Sequence, residues 1–313
     1  MAEPPPLVGI PLAPVPAGGA AEWILAADGA RLRAALFPAT GAPRGSVVIS
    51  PGRTEPIEKY FEVVEELGAR GFVVLVHDWR GQGLSQRALA NRLLGHASGY
   101  RMFLSDYAAL LAAFETRLPR PWIALGHSMG GCLSLLALAE GERRFAGAIL
   151  SAPMLGLLTG AIPRPIGRTM AALFSVTGRG AAPLQRGEAT PTPFEANVLT
   201  HDAARYARNL ALIEACPDLA LGPPTWGWLD FAFSAMAVLE RGRGLPRMMT
   251  PLSVVAAGDD RLVDITSQRR VAARAPASRF IVLPGAYHEI LQETDPLRAA
   301  FWAEFDALAA TAA

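Results

Sequence analysis

The residues of this sequence best suited to chemistry are Ser128, Asp260 and His288. Ser128 lies in Gly126-His127-Ser128-Met129-Gly130, which fits the pattern Gly-X-Ser-X-Gly. In that pattern a sharp turn between a strand and a helix exposes the serine hydroxyl. A hydroxyl is a weak nucleophile at neutral pH, so an imidazole must take its proton and a carboxylate must orient the imidazole. The three residue types therefore predict transfer of an acyl group.

Each of the three residues follows a segment with the composition of a buried strand. The apolar run 121–125 precedes the pentapeptide, 251–257 precedes the acidic segment 258–264, and 279–283 precedes His288. Short apolar runs bounded by turn residues are typical of strands in a parallel sheet. Because such strands end at a common edge, we expect the three side chains to meet there.

The acid and the base are each chosen from several residues of the same type. We predict Asp260 as the acid in preference to Asp259 and Asp264. Of the five histidines, His288 follows a late strand and is predicted to be the base. The resulting chain order of serine, acid and histidine is one that supports a catalytic triad.

The pattern of the pentapeptide, taken alone, also allows a purely structural interpretation. Gly130 and Gly131 could let the helix pack closely against a strand, and Ser128 could cap that helix. The acid and the histidine after consecutive strands favour the catalytic interpretation.

The anion that develops on an attacked carbonyl oxygen needs hydrogen-bond donors that already point at it. We predict that the backbone N–H of Met129, directly after the nucleophile, is one of them. The second is predicted to be the backbone N–H of Arg53, in the loop after the strand that ends at Ser50. The alternative is that Pro51-Gly52 only forms a turn.

Several segments together resemble the bacterial lysophospholipase and monoacylglycerol lipase group of the α/β-hydrolase superfamily, over roughly residues 22–308. The resemblance implies a mostly parallel central sheet with helices on both faces and a helical cap inserted after the sixth strand. It also implies a Ser-His-Asp triad that works through an acyl-enzyme. The segments that carry it are Pro51-Gly52-Arg53-Thr54-Glu55, His77-Asp78-Trp79-Arg80-Gly81-Gln82-Gly83-Leu84-Ser85, the pentapeptide, Ser151-Ala152-Pro153-Met154, 258–264, Gly285-Ala286-Tyr287-His288 and Asn197-Val198-Leu199-Thr200-His201-Asp202.

Arg53 departs from the pattern of many relatives, which carry His-Gly before the oxyanion residue and, in monoacylglycerol lipases, a small residue in its place. The sequence is closer here to the lysophospholipase pattern. We expect a positive charge near the site, tethered by Glu55, that would suit a phosphate-bearing leaving group. Asp78 could be considered as an acid, but the resemblance implies that Asp78 and Arg80 hold loops in place.

The long segment 156–247 breaks the alternation of strands and helices and is predicted to be the cap. The core is then 21–155 and 248–313, preceded by a flexible proline-rich arm at 1–20. Apolar residues of the cap are predicted either to form its own core or to wall an acyl-chain pocket. The candidates for the pocket are Leu155, Leu157, Leu158, Trp226 and Trp228.

The composition limits the kinds of molecule that this protein is expected to bind. With 313 residues and 51% hydrophobic content the chain can bury a large core, and a net charge of +1 argues against nucleic acid. Its two cysteines have no metal-ligand spacing, and Gly81-Gln82-Gly83 does not fit a phosphate-binding loop, so neither a metal nor another cofactor is expected. The expected partner is a small lipid ester. The sequence does not predict an oligomeric state.

The N-terminal twenty residues hold six prolines and neither Lys nor Arg, which does not fit a secretory signal. The uncharged run 145–163 is interrupted by Pro and Gly, which favours a strand over a membrane span. We therefore expect a cytoplasmic protein, peripheral to the membrane through transient contact of its cap.

Three further functions share these residues. A small-ester carboxylesterase would prefer short acyl chains, and a lipid acyltransferase would use an alcohol in place of water. A non-catalytic ligand receptor on the same fold would usually lack a member of the triad, and the sequence has all three.

Overall fold

The computed structural model describes residues 3–185 and 192–312. The strands are β1 (Ala20–Leu25), β2 (Arg31–Phe37), β3 (Gly45–Ser50), β4 (Phe72–His77), β5 (Trp122–His127), β6 (Phe145–Ser151), β7 (Leu252–Ala257) and β8 (Ser278–Leu283). They form one sheet in the order β1-β2-β4-β3-β5-β6-β7-β8. Strands β1 and β2 form a hairpin, β2 pairs antiparallel with β4, and the remaining neighbours are parallel.

Helices cover both faces of this sheet, as parallel strands require. Side chains of β5 alternate between two hydrophobic clusters: Trp122 and Ala124 pack with α2, α3 and α6, whereas Ile123 and Leu125 pack with α1 and α8. The helices are α1 (Phe61–Ala69), α2 (Tyr100–Phe114), α3 (Ser128–Ala139), α4 (Arg164–Val176), α5 (Ala203–Ala215), α6 (Trp226–Glu240), α7 (Ile265–Ala272) and α8 (Asp295–Thr311). The predicted mostly parallel sheet with helices on both faces is confirmed.

The chain leaves the sheet after the sixth strand and returns at β7. Helices α4, α5 and α6 lie between these strands, inside the segment predicted to be the cap. The longest of these three helices, α6, packs against the core, because Phe231 and Met236 are buried in the cluster that also contains residues of α2 and α3. The division into core and cap at residues 156 and 247 stays a prediction.

The apolar periodicity of the sequence predicts amphipathic helices over 57–68 and 100–118, and one boundary of each differs in the structure. The helix expected over 100–118 ends at Phe114, but Leu118 remains buried against the same cluster, so the apolar periodicity continues past the end of the helix. The helix expected over 57–68 begins with a 3-10 turn, Ile57–Tyr60, before α1. Within the two described ranges, no helix has the length and apolar character needed to cross a membrane.

The N-terminal segment contacts a buried arginine. Arg33 Nη1 donates to the Pro6 carbonyl oxygen at 2.9 Å, and the backbone N–H of Val8 donates to Glu58 Oε1 at 3.1 Å. Arg33 also forms 2.7 Å ion pairs with Glu58 and Asp78, all three with fully buried side chains. These contacts hold part of the segment whose composition predicted a flexible arm.

Candidate active site

Ser128 stands at the turn between β5 and α3 with a positive φ of 49°, a conformation that non-glycine residues rarely adopt. The turn is tight on both sides of the serine. A Cβ on Gly126 would lie 2.7 Å from the Cα of Gly131, and a Cβ on Gly130 would lie 2.0 Å from the carbonyl oxygen of Ser50. Both glycines are therefore required, and the strained turn projects the Ser128 side chain beyond the sheet.

The three predicted side chains meet at the carboxyl edge of the sheet. His288, after β8, has its Nε2 2.9 Å from Ser128 Oγ and its Nδ1 2.7 Å from Asp260 Oδ2. Asp260, after β7, accepts backbone N–H groups of Leu262 and Val263 at its other oxygen, at 2.8 and 3.0 Å. With Nδ1 donating to the carboxylate, Nε2 is the acceptor for the serine proton.

Asp260 is suited to stay ionised in this position. Burial raises the pKa of its carboxyl, but the hydrogen bond and charge of His288 and the two backbone N–H groups outweigh it, so the pKa is lowered from its usual value. The rejected acids lie elsewhere: Asp259 is exposed, and Asp264 caps α7 by accepting the N–H groups of Thr266 and Ser267.

The loop that carries Arg53 packs directly against the serine turn, since Gly130 closely approaches the backbone of Ser50 and Pro51. Met129, the second residue of α3, lies where backbone N–H groups have no acceptor within the helix. No hydrogen bond engages the backbone N–H of Arg53 among the described residues. Both predicted donors therefore lie on elements that border Ser128.

Three side chains for which the sequence predicted no such role hold this loop through its backbone. Glu55 Oε2 accepts the backbone N–H of Gly52 at 2.5 Å, and Gln82 Nε2 donates to the Gly52 carbonyl at 2.9 Å. Trp79 Nε1 donates to the Pro51 carbonyl at 2.8 Å. The segments containing Glu55, Trp79 and Gln82 carry the family resemblance, but their roles require partners that a sequence does not show.

A buried cluster of charges lies behind the triad. Lys59 Nζ lies 2.8 Å from Glu55 Oε1 and 2.5 Å from Glu289 Oε1. Burial lowers the pKa of Lys59, but the two carboxylates outweigh this effect and raise it above its usual value. His127 lies 3.6 Å from Glu55, and its ring centroid is 4.9 Å from that of His288. The cluster therefore connects the Arg53 loop to the His288 loop.

The expected tether of Arg53 by Glu55 is wrong. Glu55 is fully engaged with Gly52, Lys59 and Tyr60. Arg53 turns the other way: its Nη2 donates to the carbonyl oxygen of Gly222, and its guanidinium lies 5.3 Å from the centre of the Trp228 ring.

Asp78 and Arg80 hold loops together, as the resemblance implied. Asp78 pairs with Arg33 and accepts the backbone N–H groups of Ile57 and Leu84 at 3.0 and 2.8 Å. Arg80 pairs at 2.6 Å with Asp28 and with Asp106.

A cavity of about 770 Å³ opens above Ser128 and His288. Four of the five residues predicted for the substrate pocket line it, namely Leu157, Leu158, Trp226 and Trp228. The exception is Leu155, which is fully buried in the hydrophobic core and offers no surface to a ligand. Further apolar residues that were not among the five predicted for the pocket also line the cavity: Ile162, Met170, Leu184, Leu229 and Phe233 between β6 and β7, and Leu262 after β7.

Solved structures share this arrangement of sheet and helices. A soluble variant of monoglyceride lipase from Saccharomyces cerevisiae, in complex with a substrate analog, superposes with a TM-score of 0.74 at 18% identity over 91% of this chain and 93% of its own. The monoacylglycerol lipase of Paleococcus ferrophilus superposes with a TM-score of 0.69 at 20% identity, over 90% and 99%. The fold is that of an α/β hydrolase.

The sequence then assigns the family. The family model described as serine aminopeptidase, S33 matches residues 41–295, and this chain belongs to that family. Lysophospholipase L2 of Escherichia coli strain K12 is 35% identical over 262 residues, 80% of this chain and 76% of that protein. The monoacylglycerol lipase of Mycolicibacterium smegmatis is 28% identical over 260 residues, 81% and 84% of the two chains. The recognised lysophospholipase and monoacylglycerol lipase group is thereby confirmed.

Proposed function

We propose that this protein hydrolyses carboxylic esters of lipids that carry one acyl chain, as a lysophospholipase or a monoacylglycerol lipase. One observation carries the proposal. Ser128, in hydrogen-bonding contact with His288, faces a cavity of about 770 Å³ whose walls are largely apolar side chains of the cap. A pocket of this size can bury an acyl chain while leaving the ester at the serine.

The mechanism is acyl transfer in two steps. Ser128 Oγ attacks the ester carbonyl while its proton moves to His288 Nε2, and Asp260 stabilises the imidazolium. The protonated His288 then gives this proton to the leaving glycerol or glycerophospho oxygen as the acyl C–O bond breaks. Water, deprotonated by the same nitrogen, attacks the acyl-serine, and Ser128 recovers its proton as the fatty acid leaves.

The backbone N–H groups of Arg53 and Met129 are proposed to stabilise the oxyanion of both tetrahedral intermediates. Because both donors are main-chain groups, the bulky side chain of Arg53 is compatible with this role. The hydrogen bonds that Glu55, Trp79 and Gln82 form with the backbone of residues 51–54 support this role, because a donor aimed in advance costs no reorganisation during reaction.

We also propose that the cap touches lipid surfaces. Exposed apolar side chains recur at helical spacing before and along α4, at Ile162, Ile166, Met170, Leu173 and Val176. Ile162 and Met170 also line the cavity above Ser128. A stripe of this kind can lie in the interface of a membrane, so that a single-chain lipid would pass from the surface into the cavity.

The decisive experiment is labelling with a fluorophosphonate, with the modified residue mapped by mass spectrometry, followed by hydrolysis of a lipid panel by the same preparation. We expect the label on Ser128, and Ser128→Ala should lose roughly 10⁴-fold or more in kcat. Ser134→Ala is the matched control, since Ser134 is buried in the same helix outside the cavity. Unchanged ester hydrolysis by Ser128→Ala would refute the assignment.

Two variations of the assay separate the related enzyme functions. A series of p-nitrophenyl esters of rising chain length distinguishes a lipid hydrolase, which gains from longer chains, from a small-ester esterase. Product analysis with added glycerol or lysolipid distinguishes water from an alcohol as the acyl acceptor.

A further inference from the structure

We propose that the guanidinium of Arg53 binds the phosphate of a lysophospholipid, and thereby makes the enzyme select lysophospholipids over uncharged monoacylglycerols. This inference rests on the proposed function, because the triad and the cavity must first hold the ester and the acyl chain. It assigns the choice of leaving group to one side chain.

Arg53 is placed to meet a leaving group. It lines the same cavity as Ser128 and His288, and its own backbone N–H is one of the proposed oxyanion donors. Its Nη2 donates to the Gly222 carbonyl, whereas Nη1 has no acceptor in the described part of the chain. A guanidinium held at one corner by a carbonyl, with its other donors unused, is a ready partner for phosphate oxygens.

No carboxylate of the described residues lies within ion-pair distance of Arg53. Four other arginines differ in this respect, since Arg33, Arg80, Arg205 and Arg298 each pair with carboxylates. Arg87 also forms no ion pair among the described residues, but it does not line the cavity with Ser128. Glu55 and Glu289 also line the cavity, but both share the ammonium group of Lys59. Arg53 therefore keeps a charge that the protein around it does not neutralise.

The energetic situation favours an anionic ligand. Burial of part of the side chain lowers the pKa of Arg53 to about 10, so the group remains protonated at neutral pH. Its Nε is buried and has no hydrogen-bond partner in the ranges described. A buried charge without a counter-charge is costly, and a bound phosphate removes that cost. The ring of Trp228 lies beside the guanidinium, at the distance of a cation–π contact.

The Arg53 side chain and the head of a lysophospholipid have the same number of atoms along the chain. Between the backbone nitrogen of an arginine and its guanidinium carbon stand Cα, Cβ, Cγ, Cδ and Nε. In a lysophospholipid acylated at the first glycerol carbon, the carbonyl carbon and the phosphorus are separated by the ester oxygen, the glycerol carbons and the phosphate ester oxygen, which is the same number of atoms. A substrate whose carbonyl oxygen lies at the Arg53 N–H thus has as many atoms between its ester carbon and its phosphorus as separate that nitrogen from the guanidinium carbon.

The test compares substrates that share an acyl chain: lysophosphatidate, lysophosphatidylethanolamine and monoacylglycerol. In Arg53→Gln we expect the ratio of kcat/KM for either lysophospholipid to kcat/KM for monoacylglycerol to fall roughly 10- to 100-fold, as loss of a charge-assisted contact predicts. In Arg53→Lys, which keeps the charge without the planar fork, this ratio should lie between the wild-type value and the Arg53→Gln value.

Arg87→Gln is the matched control. Arg87 also donates to backbone carbonyls of the cap, those of Asp218 and Ala220 at 3.1 and 3.0 Å, but it does not line the cavity with Ser128. Its loss should change stability or overall turnover while leaving the substrate ratio at the wild-type value. An Arg53→Gln ratio equal to that of Arg87→Gln would overturn the proposal.

A second measurement uses the wild-type protein alone, so it does not depend on whether a variant folds. Hydrolysis of an uncharged p-nitrophenyl ester by the wild type should be inhibited competitively by sn-glycerol 3-phosphate and much less by glycerol. Inorganic phosphate tests the other source of the anion. If phosphate inhibits as strongly as glycerol phosphate while the lysophospholipid preference is absent, Arg53 binds free phosphate and the proposal is wrong. A failure of the proposed function itself would differ, because ester hydrolysis would then not depend on Ser128.

Discussion

Lys59 Nζ lies 2.5 Å from Glu289 Oε1, which joins the loop after β3 to the residue that directly follows His288. The same ammonium group lies 2.8 Å from Glu55, whose other oxygen accepts the N–H of Gly52. A single buried cation thus links the loop of Arg53, one of the two proposed oxyanion donors, to the loop of the proposed base. Displacement of either loop would disturb the other.

Lys59→Met should therefore reduce both stability and turnover. The change leaves Glu55 and Glu289 buried together without their shared cation, and removal of one partner from such a cluster typically costs about 3 kcal/mol in the free energy of unfolding. Urea denaturation measures this cost, and kcat on a soluble ester reports the loop geometry. Arg120→Ala is the control, because Arg120 and Glu115 form an exposed pair. Equal losses in the two variants would contradict the linking role.

Gly130→Ala tests the closeness of the serine turn and the Arg53 loop. The added Cβ would lie 2.0 Å from the Ser50 carbonyl oxygen and 2.4 Å from that of Pro51, both backbone atoms that cannot turn aside. We expect kcat to fall at least tenfold and the melting temperature to drop. Gly147→Ala is the comparison, since its Cβ would meet Leu308 at an ordinary 3.4 Å. Wild-type kcat in Gly130→Ala would show that the two loops are not held together as described.

The apolar stripe of α4 can be tested without touching the cavity. Ile166, Leu173 and Val176 are 53%, 56% and 80% exposed, and none of them lines the cavity above Ser128. Replacing all three with Ser should weaken sedimentation with phospholipid vesicles and slow hydrolysis of vesicle-borne substrate, while hydrolysis of a monomeric short-chain ester continues at the wild-type rate.

An equally hydrophobic set elsewhere serves as the control for this triple variant. Leu12, Leu25 and Met249 are 65%, 66% and 74% exposed and lie outside α4. Their replacement with Ser should leave vesicle binding unchanged. If both triple variants lose the same amount of binding, α4 has no special part in membrane contact.

His77 should make the fold sensitive to acid. Burial lowers the pKa of its imidazole to about 3, so between about pH 6.5 and about pH 3 the unfolded chain binds a proton that the folded chain does not. The free energy of unfolding should therefore fall as the pH falls through this range. In His77→Phe the slope should decrease by about 1.4 kcal/mol per pH unit.

Urea denaturation at several pH values between about 4.5 and 6 measures that slope. Tyr107→Phe is the control, since the Tyr107 ring lies 5.8 Å from that of His77 and burial raises the pKa of its hydroxyl to about 12, far above the range. A slope in His77→Phe equal to that of the wild type would exclude His77 as the source of the acid sensitivity.

Local sequence signals were sufficient wherever one segment determines its own conformation. The glycines around Ser128 dictate the turn, and apolar runs followed by polar residues give the strands that end at Asp260 and His288. The parallel sheet then brings these ends to one edge, so the placement of the three side chains follows from topology.

Contacts between distant segments could not be obtained in the same way. Lys59 and Glu289 stand 230 residues apart, and nothing in either segment specifies the other. Arg53 and Glu55 are close in sequence but point to different partners, because the backbone between them turns at Thr54, which has a φ of 69°. Leu155 and Leu157 are both apolar, and only the departure of the chain from β6 decides which is enclosed by the core and which faces the cavity.

The contacts of the N-terminal segment with Arg33 have a practical consequence for trimming the polypeptide. A version starting at Ala20 would lose the Pro6 carbonyl that accepts from Arg33 and the Val8 amide that donates to Glu58. An ion pair now sealed from solvent would be opened to water, and its Asp78 also accepts the backbone N–H of Ile57 in the loop after β3. Such shortening should therefore reveal itself as a lower melting temperature.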